Sequence, residues 1–150
     1  KDLLAFARHL IALRRAHPVF RRRQFFAGRQ LWGSEVKDLS WFRPDGKEMT
    51  EEGWRDPRAH CIGLRLAGDA IAEVDVRGEP ITDDTFLILL NAHHAPQRFV
   101  LPAHRAGIRW EILLDTRAPG PPRRLRLFPG GRPYELGGRC LALFRLKEAP

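Results

Sequence analysis

Few residues in this chain of 150 have types and spacings that could do chemistry. His93 and His94 are adjacent, with His104 ten residues on. A zinc site needs ligands that converge, and successive residues of extended chain point to opposite sides. With no Cys or paired acid at ligand spacing nearby, these histidines read as residues at the tip of a turn, and no metal is expected. The acid pairs Glu51-Glu52 and Asp83-Asp84 stand in polar segments. A glycosidase needs two carboxylates facing each other across the scissile bond, one with its pKa raised by burial. Adjacent acids in solvated turns supply neither. The two serines, Ser34 and Ser40, belong to no Gly-x-Ser-x-Gly elbow, and no phosphate-binding glycine loop occurs. The sequence therefore offers no catalytic residue and no cofactor site.

The most distinctive segment runs from Trp41-Phe42-Arg43-Pro44-Asp45-Gly46 through Met49 to Gly53-Trp54. Pro-Asp-Gly makes a tight turn in which glycine accepts positive φ. Indole faces stack on sugar rings, so Trp41 and Trp54 are the candidate carbohydrate contacts. The competing reading makes Trp41 a core plug and Trp54 a lid over an apolar seam.

The net charge of +8 is unevenly spread. Residues 1–34 hold eight Lys/Arg against one acid, Asp2, whereas residues 35–150 hold eighteen against seventeen. The run Arg14-Arg15, Arg21-Arg22-Arg23 and Arg29 could contact phosphate. It could equally meet acids of a neighbouring body or lie solvated beside Phe20, Phe25 and Phe26. A near-neutral remainder argues against nucleic acid as partner. Cys61 and Cys140 both lie in apolar runs and read as free thiols, which favours a cytoplasmic setting. No apolar run is long enough to span a bilayer, and no signal-peptide pattern opens the chain.

These residues must be carried by two kinds of element. Over Lys1–His17, Leu3, Leu4, Phe6, Ala7, Leu10, Ile11 and Leu13 recur at three- and four-residue spacing, which predicts one long helix with a wide apolar stripe. Pro18 stops it. Beyond residue 30, strands are expected near Leu39–Arg43, His60–Leu66, Phe86–Ala92, Arg98–Leu101, Trp110–Leu114, Arg124–Phe128 and Cys140–Leu146. The continuous run Phe86–Leu90 predicts burial on both faces. Asn91–Pro96 reads as a hairpin loop, and the acid-rich segment Val74–Asp84 as a solvated, mobile loop. Seven short strands without helical intervals predict a mainly β fold, an antiparallel β-sandwich preceded by one long α-helix. The division falls between residues 1–30, helix and connection, and residues 31–150, the sandwich.

Several motifs in order then resemble one family, the bacterial glycogen-debranching enzymes of isoamylase type in the α-amylase superfamily. Leu10-Ile11-Ala12-Leu13-Arg14-Arg15-Ala16-His17-Pro18-Val19 is similar to the last helix of that family's catalytic barrel. Trp41 to Trp54 resembles its Trp-aromatic-x-Pro-Asp-Gly-x-Glu-Met signature, with Gly53 standing where an acid is expected. Leu89–His94, Phe99–Pro102, Trp110–Thr116 and Gly138–Leu143 resemble strands of its C-terminal domain. The resemblance implies a parent glycoside hydrolase that cleaves α-1,6 branch linkages in glycogen by a retaining mechanism, with an Asp nucleophile and a Glu acid/base on barrel strands. Those strands would precede Lys1, and a start at Lys1-Asp2, with Met49 as the only methionine, reads as that of an excised piece. The implied partners are the barrel of the same polypeptide and, through it, α-glucan. The implied role is non-catalytic support of the barrel. A carbohydrate-binding module using Trp41 and Trp54 is the alternative, and a basic nucleic-acid binder is a more distant one. The apolar stripe would pack on the barrel or, in this chain alone, on a second copy as a dimer.

Overall fold

The computed structural model describes residues 2–29, 37–118, 120, 122 and 124–147. The predicted helix is present as α1, Asp2–Ala16. It ends where Pro18 pushes His17 to an extended conformation, φ −116° and ψ 107°. A single 3-10 turn, Pro18–Arg21, follows with its proline at the first turn, where a missing N–H costs nothing.

Among the described residues the strands that follow are β1 Leu39–Phe42, β2 Cys61–Leu66, β3 Phe86–Asn91, β4 Gln97–Val100, β5 Arg109–Asp115, β6 Leu127–Pro129, β7 Pro133–Leu136 and β8 Cys140–Lys147. A five-residue helix, α2, spans Glu51–Arg55. Six strands form one antiparallel sheet in the order β1-β2-β3-β8-β5-β6, and β4 pairs with β7 in a second, two-stranded sheet. The last strand thus enters the middle of the large sheet, between β3 and β5.

The large sheet is apolar on both faces. On the inner face Phe42, Leu87, Leu89, Ile112, Ala142 and Phe144 pack with Phe99, Tyr134 and Leu136 of the small sheet. The two layers approach closely: a Cβ at Gly63 would stand 2.7 Å from Phe99 Cζ. Trp110, fully buried here, donates its indole N–H to Pro102 O at 2.9 Å, so its one polar atom is satisfied. On the outer face Leu66, Phe86, Leu114 and Leu143 gather Val19 and Ile71, with Phe6, Leu13, Phe20 and Phe26 against them. Of the run expected to be buried on both faces, Phe86, Leu87 and Leu89 are fully buried, whereas on the outer face Ile88 is half-buried and Leu90 exposed.

Two sequence expectations are corrected. Asn91–Pro96 is not a hairpin loop: β3 pairs with β2 and β8, so this turn carries the chain from the large sheet to the small one. The buried Asn91 amide pins the corner, donating to Ala95 O at 3.0 Å and Gly137 O at 2.8 Å while accepting from His93 N at 2.9 Å. The expected strand Arg124–Phe128 is displaced to Leu127–Pro129. A further strand, β7, is not among the expected ones; its Pro133 is tolerated as a strand's first residue.

Candidate functional site

The histidine and acid candidates assemble no reaction centre among the described residues. His93 and His94 have ring centroids 4.2 Å apart, and His60 stacks on His93 at 5.8 Å. His93 Nδ1 accepts from Ala95 N at 3.1 Å, so the ring serves its own turn. His104 lies apart, its pKa lowered by partial burial and then by the positive charges of Arg65 and Arg105. Glu51 and Glu52 are exposed in the first turn of α2, where the helix dipole favours them. Asp83 departs from expectation. It is no solvated turn residue: its carboxylate meets His17 Nδ1 at 2.7 Å and accepts from Val19 N at 3.0 Å. His17, Asp83 and Asp84 form the one cluster of metal-ligand type among the described residues. Their ligating atoms are engaged with protein groups, Asp84 Oδ2 accepting from Arg145 Nη1 at 3.2 Å.

This contact belongs to a larger device that the sequence did not announce. Three carboxylates of the sandwich catch main-chain N–H groups of the connection after α1. Asp83 takes Val19 N, Glu73 takes Arg23 N and Gln24 N, and the buried Asp38 takes Ala27 N and Gly28 N. Bonds of N–H groups to an ionised carboxylate are the strong kind. They hold the Glu73 carboxyl below the ordinary range, the bond from Gln24 being the main cause. Arg22 adds a buried pair with Asp38 at 3.3 Å and lies 4.2 Å over the Phe26 ring. Part of the arginine run is therefore spent internally: Arg22 is buried, and Arg23 reaches Glu73 at 3.5 Å. The Val74–Asp84 segment is exposed over most of its length, with Asp75 capping Arg77 N and Glu79 N across its turn.

A connection held this way fixes α1, yet α1 itself is only half covered. Phe6 and Leu13 lie against the outer-face cluster, while Leu3 is 79% exposed, Leu4 57% and Ile11 53%. The neighbouring outer face of the sheet is also incompletely covered. Leu64, Ile88 and Leu141 are half-buried there and Leu90 is exposed. Contiguous apolar surface of this kind marks an interaction face.

Trp41 and Trp54 meet one another. Trp41 pairs with Leu64 in the register and is half-buried, so it is not the core plug that one reading made it. Trp54 on α2 packs edge-on against it at 5.3 Å and 78°, and remains 54% exposed. The segment between them folds back on β1. Arg43 N donates to Lys47 O at 2.8 Å and Met49 N to Trp41 O at 2.8 Å. Gly46 takes φ 80° and lies so near β4 that a Cβ would stand 2.9 Å from Val100 O. Thr50 caps α2 by accepting from Gly53 N at 3.1 Å. Beside α2 opens a groove of about 530 Å³ lined in part by Arg43, Met49, Gly53, Asp56, His60 and Gln97. Of these only Arg43, Met49 and Gly53 lay in the singled-out segment; His60 and Gln97 reach it through strand placement alone.

With the geometry in place, comparison with known proteins is direct. Residues 38–145 match the family described as "Isoamylase, C-terminal". The chain is 45% identical over 119 residues to the "Glycogen operon protein GlgX homolog" of Mycobacterium tuberculosis, covering 79% of this chain and 16% of that protein. It is 27% identical over 159 residues to "Isoamylase 2, chloroplastic" of Oryza sativa subsp. japonica, covering 99% and 18%. It is 25% identical over 115 residues to the isoamylase of Pseudomonas amyloderamosa, covering 77% and 13%. The chain thus spans about 16% of the length of the first of these relatives. Among solved structures, trehalulose synthase MutB from Pseudomonas mesoacidophila superposes over 93% of this chain and 17% of its own, with TM-score 0.48 and 18% identity.

Proposed function

This chain belongs to the isoamylase C-terminal family, and from that membership we propose that it is the non-catalytic, structural end of a larger hydrolase that cleaves α-1,6 branch linkages in glycogen. The observation that carries the structural role is the exposed apolar stripe of α1 on a helix whose exit is clamped by Asp38, Glu73 and Asp83. A fixed helix with Leu3, Leu4 and Ile11 in water is placed to be covered by the rest of the polypeptide. On this reading residues 1–30 belong to the catalytic barrel as its last helix and connection, and residues 31–150 are the supporting sandwich. Two unpaired cysteines are in keeping with a cytoplasmic enzyme. Contact of Trp41 and Trp54 with α-glucan is the subordinate part of the proposal, supported by the exposed indole of Trp54.

The test compares this chain with the polypeptide of the complete reading frame that contains it. The longer protein is expected to release linear chains from glycogen limit dextrin, and this chain to release no reducing sugar. Leu4→Glu combined with Ile11→Glu is expected to leave this chain's melting temperature unchanged and to lower that of the longer protein by several degrees. Turnover by this chain alone, or indifference of the longer protein to both substitutions, would overturn the reading.

A further inference from the structure

We infer that the groove beside α2 binds a neutral oligosaccharide. Its volume of about 530 Å³ lies within the range of small-molecule sites and has room for more than one sugar ring. Its cations are already matched: Arg43 Nη2 donates to Asp45 at 2.8 Å, and Arg58 Nε pairs with Asp56 at 3.1 Å. An anionic ligand would find no uncompensated charge there, whereas hydroxyl groups would find planar donors and acceptors.

Some of that capacity is unspent. A guanidinium has five N–H donors. Arg43 Nε is buried and without a partner among the described residues, and Nη2 already donates to Asp45, so a ligand would meet the terminal end of this guanidinium and not its Nε. The Gln97 amide reaches His93 Nδ1 only at 3.5 Å, the far limit of a hydrogen bond, and that nitrogen already accepts from Ala95 N. Met49 supplies an apolar patch among these groups.

Gly53 keeps the groove open. A Cβ there would stand 2.7 Å from Met49 Sδ and 3.5 Å from Arg43 Cδ. An aspartate at this position would displace the thioether, fill the space and pair with Arg43. The glycine at position 53 thus leaves space beside the Met49 thioether unfilled. Neutrality and hydroxyl recognition follow from the groove itself; the narrower choice of an α-1,4-linked glucan chain rests on the debranching reading.

The experiment is a titration of the ¹⁵N-labelled chain with maltoheptaose, cellohexaose and inorganic phosphate, following the Arg43 Nε–H, the Gln97 side-chain amide and the Gly53 backbone amide. Maltoheptaose is expected to shift all three saturably, and phosphate none. Gly53→Asp is expected to weaken binding at least tenfold with a dispersed spectrum retained. Gln97→Ala, which removes a surface amide and leaves the backbone untouched, provides the same reading should Gly53→Asp unfold. Silence toward both oligosaccharides, a response to phosphate, or full affinity in both variants would overturn the groove. Binding of cellohexaose alone would preserve the neutral-saccharide site and sever it from α-glucan. Loss of debranching activity in the longer protein's test, with maltoheptaose still bound here, would defeat only the proposed function.

Discussion

Asp83 holds His17 at 2.7 Å across 66 positions of sequence, and with the same carboxylate it accepts from the amide of Val19. This single side chain ties the end of α1 to the outer face of the large sheet. Val19, almost wholly buried, lies in the cluster that α1 shares with Phe86 and Leu66. The orientation of the helix is therefore set by polar contacts at its exit more than by its own apolar stripe, most of which faces water.

Replacing Asp83 by alanine leaves the Val19 amide without its acceptor in a site with little access to water. Losing a buried partner costs about 1–3 kcal/mol. The expected outcome is a lower urea midpoint, with trypsin cutting faster at Arg14 and Arg15 as α1 loosens. Unchanged digestion together with an unchanged midpoint would show that the latch carries no stability.

The contact between Gly63 and Phe99 sets the spacing of the two sheets. Because a Cβ at 63 would lie 2.7 Å from the ring, Gly63→Val must push β4 outward or force Phe99 from its rotamer. Overpacking of this kind costs about 1–3 kcal/mol. Thermal unfolding of Gly63→Val should begin several degrees lower, and the companion change Phe99→Leu should recover part of the loss by making room. Absence of any recovery would place the cost in the strand backbone instead.

Tyr134 is the one tyrosine of the chain, which makes its titration directly readable at 295 nm. Burial pushes its hydroxyl up to about 12, and its hydrogen bond to Asp115 adds to the shift. A tyrosine that ionises near 10 in the unfolded chain and higher in the folded one favours the folded state fully below about pH 10. That contribution falls as pH rises through the interval between the two values. For Asp115 burial works upward, but the bonds from Arg117 and Tyr134 outweigh it and the net pKa is lowered. Its contribution is present above the unfolded value of about 3.9 and is lost as pH falls below it. Absorbance at 295 nm should show a midpoint near 12 in the native protein, moving down toward 10 in Asp115→Asn. A native midpoint near 10 would contradict the hydrogen-bonded triad of Asp115, Arg117 and the buried Tyr134.

How much was legible in advance follows from which contacts are local. The α1 stripe and the Pro18 stop were readable because periodicity and proline sterics act within a few residues, and the structure moves the helix end by only one position. The run Phe86–Leu90 was readable as a strand, but its expected burial on both faces holds only in part: Phe86, Leu87 and Leu89 are buried, Ile88 is half-buried and Leu90 is exposed on the outer face. β7 was hidden by Gly130 and Gly131, whose turn chemistry is genuine and ends just before the strand opens on Pro133, itself paired with Val100. Turn chemistry at Asn91–Pro96 was also read correctly as a turn, but nothing local states which sheet the next strand will join.

The amino-acid order by itself determined that a long helix precedes many short antiparallel strands, that no catalytic constellation is spelled out, and that Trp41 through Trp54 forms a self-contained motif. Folding decided what no spacing reveals: that Asp38, Glu73 and Asp83 clamp one stretch of backbone, that Trp41 faces outward beneath Trp54, and that His60 and Gln97 join Arg43 at one groove. The physical reason is range. Helix and turn preferences are settled by neighbours along the chain, whereas a carboxylate finds its N–H partners only after burial has brought distant segments together.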